Sequence, residues 1–177
     1  YQKKQLPLIN GYVLEVPDRA LSIGAQQPEV TSAHFDRPIW AADYLSTQTT
    51  AANLAWKSLG FTGRGVGVAV IDSGITTWHD DLTQSITNFR VLPNGNQRVL
   101  GFVDFVNRWT QPYDDHGHGS HVAGIILGNG YDTSGKQAGI APQADLVALK
   151  ALDKEGKGQI SNVIAALDWV GTNAKQF

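Results

Sequence analysis

Three of the five histidines in this chain of 177 residues lie within eleven consecutive positions, residues 114–124. That segment reads Asp-Asp-His-Gly-His-Gly-Ser-His-Val-Ala-Gly, so two carboxylates and three glycines accompany the imidazoles. Imidazole is the side chain best suited to accept and return a proton near neutral pH. A histidine-rich surface loop is the simpler interpretation of any single member, unless a carboxylate elsewhere in the chain orients one of the rings.

A helix is the element that would position this histidine segment. If the helix begins near His118, then His121, Val122 and Ile125 repeat at helical spacing. The small residues of its first turn leave room for another part of the chain to approach closely. The sequence therefore predicts a helix over residues 118–128 with an imidazole at its open end.

Asp72 is the candidate for the orienting carboxylate. It follows the continuous apolar run Val66–Ile71 and precedes Ser73 and Gly74. In open α/β sheets, functional sites form beyond the carboxyl ends of the strands. Taken alone, an Asp-Ser-Gly run is more typical of a plain turn. Asp72 becomes a functional residue only if the fold brings it to one of the histidines.

The chain from residue 51 onwards predicts an α/β domain. Helices are expected at 51–59, 118–128 and 161–174, and strands at 66–71, 99–106 and 146–152. Strands that alternate with helices favour a parallel sheet, and an uninterrupted apolar strand favours a sheet buried on both faces.

The first 35 residues have a different pattern, which predicts a small and partial α+β unit. We expect a hairpin over residues 6–16, in which strand residues 8–9 and 12–14 flank a turn at Asn10 and Gly11. A helix over 19–27 capped by Asp18 and a short strand at 30–35 should follow. Residues 36–50 contain Arg-Pro and then a small, polar run, which is typical of an exposed junction. The expected division is 1–40, 41–50 and 51–177, with an ordinary surface loop inside one domain as the alternative.

Composition excludes several classes of protein. The net charge is −2, from 14 basic and 16 acidic residues, and no basic run is present, so nucleic acid is not an expected partner. The absence of cysteine rules out a disulfide scaffold, a thiolate zinc site and a cysteine nucleophile. No run approaches 18 apolar residues, and we therefore expect no membrane span.

Two stretches together, 68–75 around Asp72 and 117–124 around His118, resemble the subtilisin-like serine proteases, the subtilases of peptidase family S8. Two further stretches, 139–150 and 156–161, are similar to the same family in order and spacing. The resemblance covers about residues 51–177. It implies a subtilisin-like parallel sheet flanked by helices, of which this chain holds the N-terminal half.

The resemblance also implies a role for particular residues. Asp72 matches the catalytic aspartate and His118 the catalytic histidine, with Ser120 in a place where threonine is more usual. His118 would take the proton of a serine hydroxyl that attacks a peptide carbonyl, while Asp72 orients the ring and stabilises its cation. Gly156, Lys157 and Gly158 match the edge along which polypeptide substrates pair as an added strand.

The nucleophile expected from the resemblance has no counterpart in this sequence. No Gly-Thr-Ser motif follows His118; Ser134 lies in a polar loop and Ser161 is expected to cap a helix. The resemblance implies that the serine and the oxyanion-hole asparagine belong to the missing C-terminal half of the catalytic domain. We therefore expect the chain alone to be inactive unless that half is supplied as a partner.

The N-terminal region, a metal and the location are further expectations from the family. Residues 6–35 are similar to the second half of an inhibitory propeptide, with processing expected within 41–50. Calcium is common in the family and Asp81 matches a frequent ligand position, but the loop at 128–137 departs from the calcium loop of the best-known subtilisins. We assign no metal ligand and no required cofactor. A secreted or extracytoplasmic location is implied, with the signal peptide outside this chain.

Three other interpretations were weighed. His116-x-His118-x-Ser120-His121 resembles the metal motif of metallo-β-lactamase-like enzymes, but serine replaces the acid and two downstream histidines are missing. Glycines 63, 65 and 67 precede their strand, whereas a dinucleotide-binding turn follows it. A non-catalytic fragment, or a folding or inhibitory module of a subtilase, stays open as the alternative to an endopeptidase.

Overall fold

The computed structural model describes residues 2–40, 50–76, 78–84 and 97–177. The strands in these ranges are β1 (Gln2–Leu6), β2 (Gly11–Leu14), β3 (Pro38–Trp40), β4 (Gly67–Asp72), β5 (Val99–Asp104), β6 (Asp145–Lys150) and β7 (Lys157–Gln159). The helices are α1 (Asp18–Gly24), α2 (Ala52–Leu54, continued by a π turn over Ala55–Leu59), α3 (His118–Leu127) and α4 (Ile160–Asn173).

A parallel sheet in the order β4, β6, β5 forms the centre of the molecule. Its middle strand is buried from Leu146 to Lys150, as the continuous apolar pattern requires. Leu146 and Ala148 pack with α3 on one face, whereas Val147 and Leu149 pack with α4 on the other. The prediction of a parallel α/β domain is therefore confirmed.

The register of the sheet aligns three polar residues at its carboxyl end. Asp72 of β4 and Asp104 of β5 both lie opposite Lys150 of β6. The strands predicted at 66–71, 99–106 and 146–152 and the helices predicted at 118–128 and 161–174 all form, with ends that shift by one or two residues. Asp72, the proposed catalytic aspartate, consequently lies at the carboxyl edge of the sheet together with Asp104 and Lys150.

Arg98 connects the elements at the opposite end of α3. Its side chain is 2 % exposed, and burial lowers the pKa of its guanidinium. The guanidinium donates hydrogen bonds to the carbonyl oxygens of Asp81, Thr83, Leu127 and Ala144. Because Leu127 is the last residue of α3, this arginine holds the negative end of the helix that begins at His118.

The hairpin predicted around Asn10 and Gly11 is present as β1 paired with β2. The prediction that residues 8–9 belong to its first strand is wrong, because Pro7 begins a 3-10 turn over Pro7–Ile9 and the strand ends at Leu6. Asn10 takes a left-handed conformation, with φ of 50°. Helix α1 starts after Pro17, with Asp18 in its first turn, where we had expected Asp18 to be the cap.

The prediction of a strand at residues 30–35 is also wrong. Val30 and Phe35 are 40 % and 79 % exposed and pair with no strand of the described residues. The strand forms later, at β3, which pairs antiparallel with β7. The predicted junction thus begins to dock on the α/β domain at Asp36. Residues 41–49 lie outside the described residues, so the division into 1–40, 41–50 and 51–177 stays a prediction.

Polar contacts attach the N-terminal residues to helix α4. The Lys4 ammonium lies 3.4 Å from both the carbonyl oxygen of Ser161 and the amide oxygen of Asn162, and burial lowers the pKa of Lys4. Asp36 accepts hydrogen bonds from the backbone N–H of Ser161, at 2.8 Å, and from its hydroxyl. We had expected Ser161 to cap this helix. Instead, the Asp36 carboxylate accepts one backbone N–H of the first turn and places a negative charge at the start of the helix.

None of the helices in the described ranges has both the length and the apolar character that a bilayer crossing demands.

Candidate active site

The carboxylate of Asp72 and the imidazole of His118 are in direct contact. Asp72 ends β4 and His118 opens α3, and Asp72 Oδ1 lies 2.8 Å from His118 Nδ1. Both side chains are largely shielded, at 12 % and 14 % exposed. An ionised carboxylate only accepts hydrogen bonds, so Nδ1 carries the proton and donates it to Asp72. Nε2 is then the basic nitrogen of the neutral ring.

A close approach of two backbones makes this contact geometrically feasible. Gly119, in the first turn of α3, lies directly against Gly74, and a Cβ added to Gly119 would collide with the Gly74 carbonyl oxygen. Gly74 has φ of 124°, and a Cβ there would collide with the Tyr113 carbonyl oxygen. The small residues that the sequence places in this turn and in the helix are therefore required by the packing.

Asp104 anchors the loop that leads to the histidine segment. Its carboxylate accepts hydrogen bonds from the Tyr113 hydroxyl, at 2.7 Å, and from three backbone N–H groups of residues 106–109. Although burial alone would raise the pKa of Asp104, these bonds outweigh it and hold the pKa below its ordinary value. Burial and the neighbouring carboxylate raise the pKa of Tyr113 to about 12.

Lys150 is a buried cation beneath the site, and sequence reasoning had missed it. Its side chain is fully buried, and its ammonium lies 2.6 Å from Asp115 Oδ1 and 4.8 Å from the centre of the Tyr113 ring. It also donates a hydrogen bond to the Ser73 carbonyl oxygen. The sequence signal for this buried ammonium is a lysine at the end of an otherwise apolar strand, because functional sites form beyond the carboxyl ends of parallel strands.

The other histidines of the segment have different surroundings. His116 is exposed, and its ring centre lies 6.1 Å from that of His118. His121 lines an open cavity of about 640 Å³ together with His79 and Asp81. Among the residues that the structure describes, no three His, Cys, Asp or Glu side chains are arranged to hold a metal ion.

Asp81, the residue matched to a calcium ligand, is engaged with backbone. Its Oδ1 accepts hydrogen bonds from the N–H groups of Gly130, at 2.6 Å, and of Tyr131, at 3.2 Å. The carboxylate thereby holds the loop that follows α3. The structure tests neither calcium binding nor a cofactor requirement, and both stay as predictions.

The predicted substrate edge lies beside the histidine segment. Gly156 has φ of 70°, and a Cβ there would lie 2.8 Å from His116 Nε2. Lys157 and Gly158 belong to β7, and the Lys157 ammonium lies 2.9 Å from a Glu155 carboxylate oxygen on the surface. In this structure the edge is occupied: Ile39 of β3 is the register partner of Gly158. An extended segment therefore fits along the edge.

The contact between Gly119 and Gly74 can be tested with a single methyl group. We expect Gly119→Ala to destabilise the fold by about 2–4 kcal/mol, because the methyl meets a backbone carbonyl that cannot turn aside. Gly171→Ala is the control, since a Cβ there has open space in α4. It should stabilise the chain by about 0.5–1 kcal/mol. Urea unfolding measures both, and equal effects would contradict the close approach.

The depressed pKa of Asp104 predicts a loss of stability in acid. A carboxyl group whose pKa is lower in the folded state stabilises the fold above its unfolded pKa, near 3.9, and loses that contribution as the pH falls through its folded pKa. Asp104→Asn should lower the free energy of unfolding at pH 7 and flatten its decline between about pH 5 and 2. Urea titrations across that range measure it. An unchanged pH slope would disprove the assignment.

Comparison with known proteins agrees with this geometry. Residues 63–176 match the subtilase family, Peptidase_S8. The chain is 34% identical over 169 residues to the serine protease AprX of Bacillus subtilis (94% of this chain, 35% of that protein). It is 33% identical over 176 residues to subtilisin E of the same species (97% and 41%). It is also 40% identical over 117 residues to the minor extracellular protease Epr (65% and 15%).

A crystal structure of a cold-adapted subtilisin-like serine proteinase is similar as well, with a TM-score of 0.49 and 33% identity over 64% of this chain and 34% of that one. The chain thus spans between about a seventh and two fifths of the length of these relatives. The match of residues 63–176 extends over more than half of the chain and includes both Asp72 and His118. This chain is a member of the subtilase family.

Proposed function

We propose that this chain supplies the acid and the base of a serine endopeptidase that hydrolyses polypeptides. The observation that carries the proposal is the 2.8 Å hydrogen bond between Asp72 Oδ1 and His118 Nδ1, at the carboxyl edge of a parallel sheet. Membership of the subtilase family supports the reaction class. The third member of the triad is a serine hydroxyl.

In this proposal the two nitrogens of the imidazole have different tasks. Nδ1 donates to Asp72, which fixes the tautomer and places Nε2 toward the reacting hydroxyl. Nε2 takes the serine proton as the oxygen attacks the peptide carbonyl, and it later returns the proton to the leaving amine. Asp72 stabilises the imidazolium that forms in between, and shielding from water strengthens that attraction. General base catalysis of this kind contributes about 10²–10⁴-fold.

The nucleophile comes, in this proposal, from polypeptide that is not among residues 1–177. The serine hydroxyls next to Asp72 and in the first turn of α3 already have structural partners: Ser73 Oγ bonds to Asp114 and to the Gly119 N–H, and Ser120 Oγ bonds to Asp114. The curated relatives are longer than this chain by a factor of two or more. We propose that a further half of the catalytic domain supplies the serine and the oxyanion-hole asparagine.

The triad predicts distinct losses of activity. In the native protein that contains this chain, His118→Ala should lower kcat by about 10⁶-fold and Asp72→Asn by about 10⁴-fold. His79→Ala, which removes an exposed ring, is the matched control and should retain activity. Casein hydrolysis measures all three. Residues 1–177 alone should not cleave casein, and a purified chain that did, with activity lost in His118→Ala, would contradict the proposal.

Residues 1–40 form, we propose, part of an inhibitory propeptide, and β7 with Gly156 is the substrate-binding edge. Support comes from the pairing of β3 with β7 and from the contacts of Lys4 and Asp36 with α4. A segment held in this way covers the edge along which a substrate would pair. The same observation favours the second candidate function, in which the isolated chain acts as a folding or inhibitory module.

Processing within residues 41–50 and an extracytoplasmic location complete the proposal. Removal of the N-terminal residues would free the edge of β7 for substrate. One relative is described as an extracellular protease, which supports export. Mass spectrometry of the active native enzyme would test the processing site, and a mature N-terminus outside 41–50 would defeat it.

The cap supplied by Asp36 predicts how strongly the N-terminal residues inhibit. A peptide of residues 2–40 should inhibit the processed enzyme, and Asp36→Asn should raise its inhibition constant by about 3–10-fold, because the charge at the start of α4 is lost. Asp18→Asn is the control, since Asp18 is exposed in the first turn of α1. Steady-state kinetics with a fluorogenic peptide give the constants. Equal constants for the two variants would show that Asp36 does not anchor the inhibitor.

A further inference from the structure

Two backbone segments must stay in register for Asp72 to reach His118. One is the turn that follows β4, residues 72–74, and the other is the loop and first helical turn at residues 114–120. The side-chain bond between Asp72 and His118 is a single contact, and it does not by itself fix how the two backbones lie. Proton-transfer groups need placement to within about 0.5 Å, so additional contacts are required.

Asp114 joins the two segments through one of its own carboxylate oxygens. Oδ1 accepts hydrogen bonds from the Ser73 hydroxyl, at 2.8 Å, and from the Gly117 N–H, also at 2.8 Å. Ser73 is the residue after Asp72, and Gly117 is the residue before His118. The Ser73 oxygen in turn accepts the Gly119 N–H at 2.9 Å. The residues on both sides of His118 are thereby connected to the neighbour of Asp72.

The other oxygen of Asp114 fixes the first turn of helix α3. Oδ2 accepts the Ser120 N–H at 2.8 Å and the Ser120 hydroxyl at 2.7 Å. Although burial alone would raise the pKa of Asp114, the bonds from Ser120, Gly117 and Ser73 outweigh it and hold the pKa below its ordinary value. The carboxylate is thus ionised near neutral pH, when all these donors can be satisfied.

Asp115 joins the same two segments from beneath, through the buried Lys150. The ammonium lies 2.6 Å from Asp115 Oδ1 and donates to the carbonyl oxygen of Ser73. Lys150 is the register partner of Asp72, so it approaches the turn from the adjacent strand. Ser73 is therefore held by its hydroxyl from Asp114 and by its carbonyl from the Asp115–Lys150 pair.

We propose that Asp114 and Asp115 are positioning residues, whose paired contacts to Ser73 hold the Asp72 turn against the His118 helix. The described contacts of Asp114 run to the Ser73 and Ser120 hydroxyls and to backbone N–H groups, and that of Asp115 runs to the Lys150 ammonium, so the proposed effect of both is to place the two backbone segments. The proposal deepens the proposed function and rests on it for any effect on turnover. Its geometric content, whether the His118 Nδ1–H keeps its hydrogen bond to Asp72, can be measured without activity.

The first measurement is the proton NMR signal of the His118 Nδ1–H, in the chain of 177 residues. A short bond to a shielded carboxylate gives a sharp, strongly downfield resonance. We expect Asp114→Asn, Asp115→Asn and the milder Ser73→Ala to broaden this resonance or move it upfield. Asp115→Glu should have a smaller effect than Asp115→Asn, because it keeps a negative charge for Lys150. Asp81→Asn is the matched control, because it removes the charge of a carboxylate that accepts from Gly130 and Tyr131, away from the turn.

The second measurement is turnover by the native protein, at a temperature where near-UV circular dichroism shows each variant folded. Asp114→Asn and Ser73→Ala should lower kcat by about 10–100-fold with KM nearly unchanged, as misplacement of reacting groups does. Asp81→Asn should lose stability but retain kcat.

Two outcomes overturn the proposal. One is a normal Nδ1–H resonance in folded Ser73→Ala and Asp114→Asn chains; the other is a loss in Asp81→Asn equal to theirs, which would show that general destabilisation is the cause. If the wild-type protein proves inactive, the proposed function fails, while the resonance still decides whether Asp114 and Asp115 position the pair.

Discussion

The hydrogen bond from His118 to Asp72 is the interaction on which the arrangement of this half-domain depends. It joins the end of strand β4 to the beginning of helix α3, so strand, turn and helix must meet within hydrogen-bonding distance. A helix normally packs on a sheet through side chains, which keep the backbones well apart. Here Gly119 and Gly74 remove that spacing, and the helix start rests on the turn itself. The motif is rich in glycine because the chemistry requires contact between backbones.

Such a contact brings charges together at the edge of the sheet. Asp72, Asp114, Asp115 and Lys150 all lie there. A fully buried ammonium would be strongly destabilising if it stood alone. Lys150 is tolerated because a carboxylate, a carbonyl oxygen and the face of an aromatic ring surround it. Removal of one of these charged residues would therefore leave another without its partner. This dependence explains why two acidic residues stand at the start of the segment that leads to His118.

The sequence pattern predicted the helices and strands of the α/β domain, because their periodicity is local. The strand before Asp72 and the helix from His118 have clear periodicity, and the resemblance to subtilases led to both residues. The strand expected at 30–35 failed because a short apolar run becomes a strand only when an edge is available, and β7 receives residues 38–40 instead. Lys150 was missed for a related reason: its meaning comes from the register between β4 and β6, which connects positions 78 residues apart.

The N-terminal residues pair, through β3, with the edge that we propose for substrate. A strand edge built on Gly156 and Gly158 recognises backbone, because it offers hydrogen bonds and little side-chain bulk. Such an edge does not discriminate between a substrate and a segment of its own chain. What distinguishes the N-terminal segment is its additional anchoring by Asp36 and Lys4 on α4, outside the edge. An ordinary peptide lacks those anchors, so it would bind the edge more weakly and leave sooner. If the N-terminal segment is an inhibitory propeptide as proposed, this difference in anchoring would make inhibition strong while the segment is attached and would let products leave readily once it is removed.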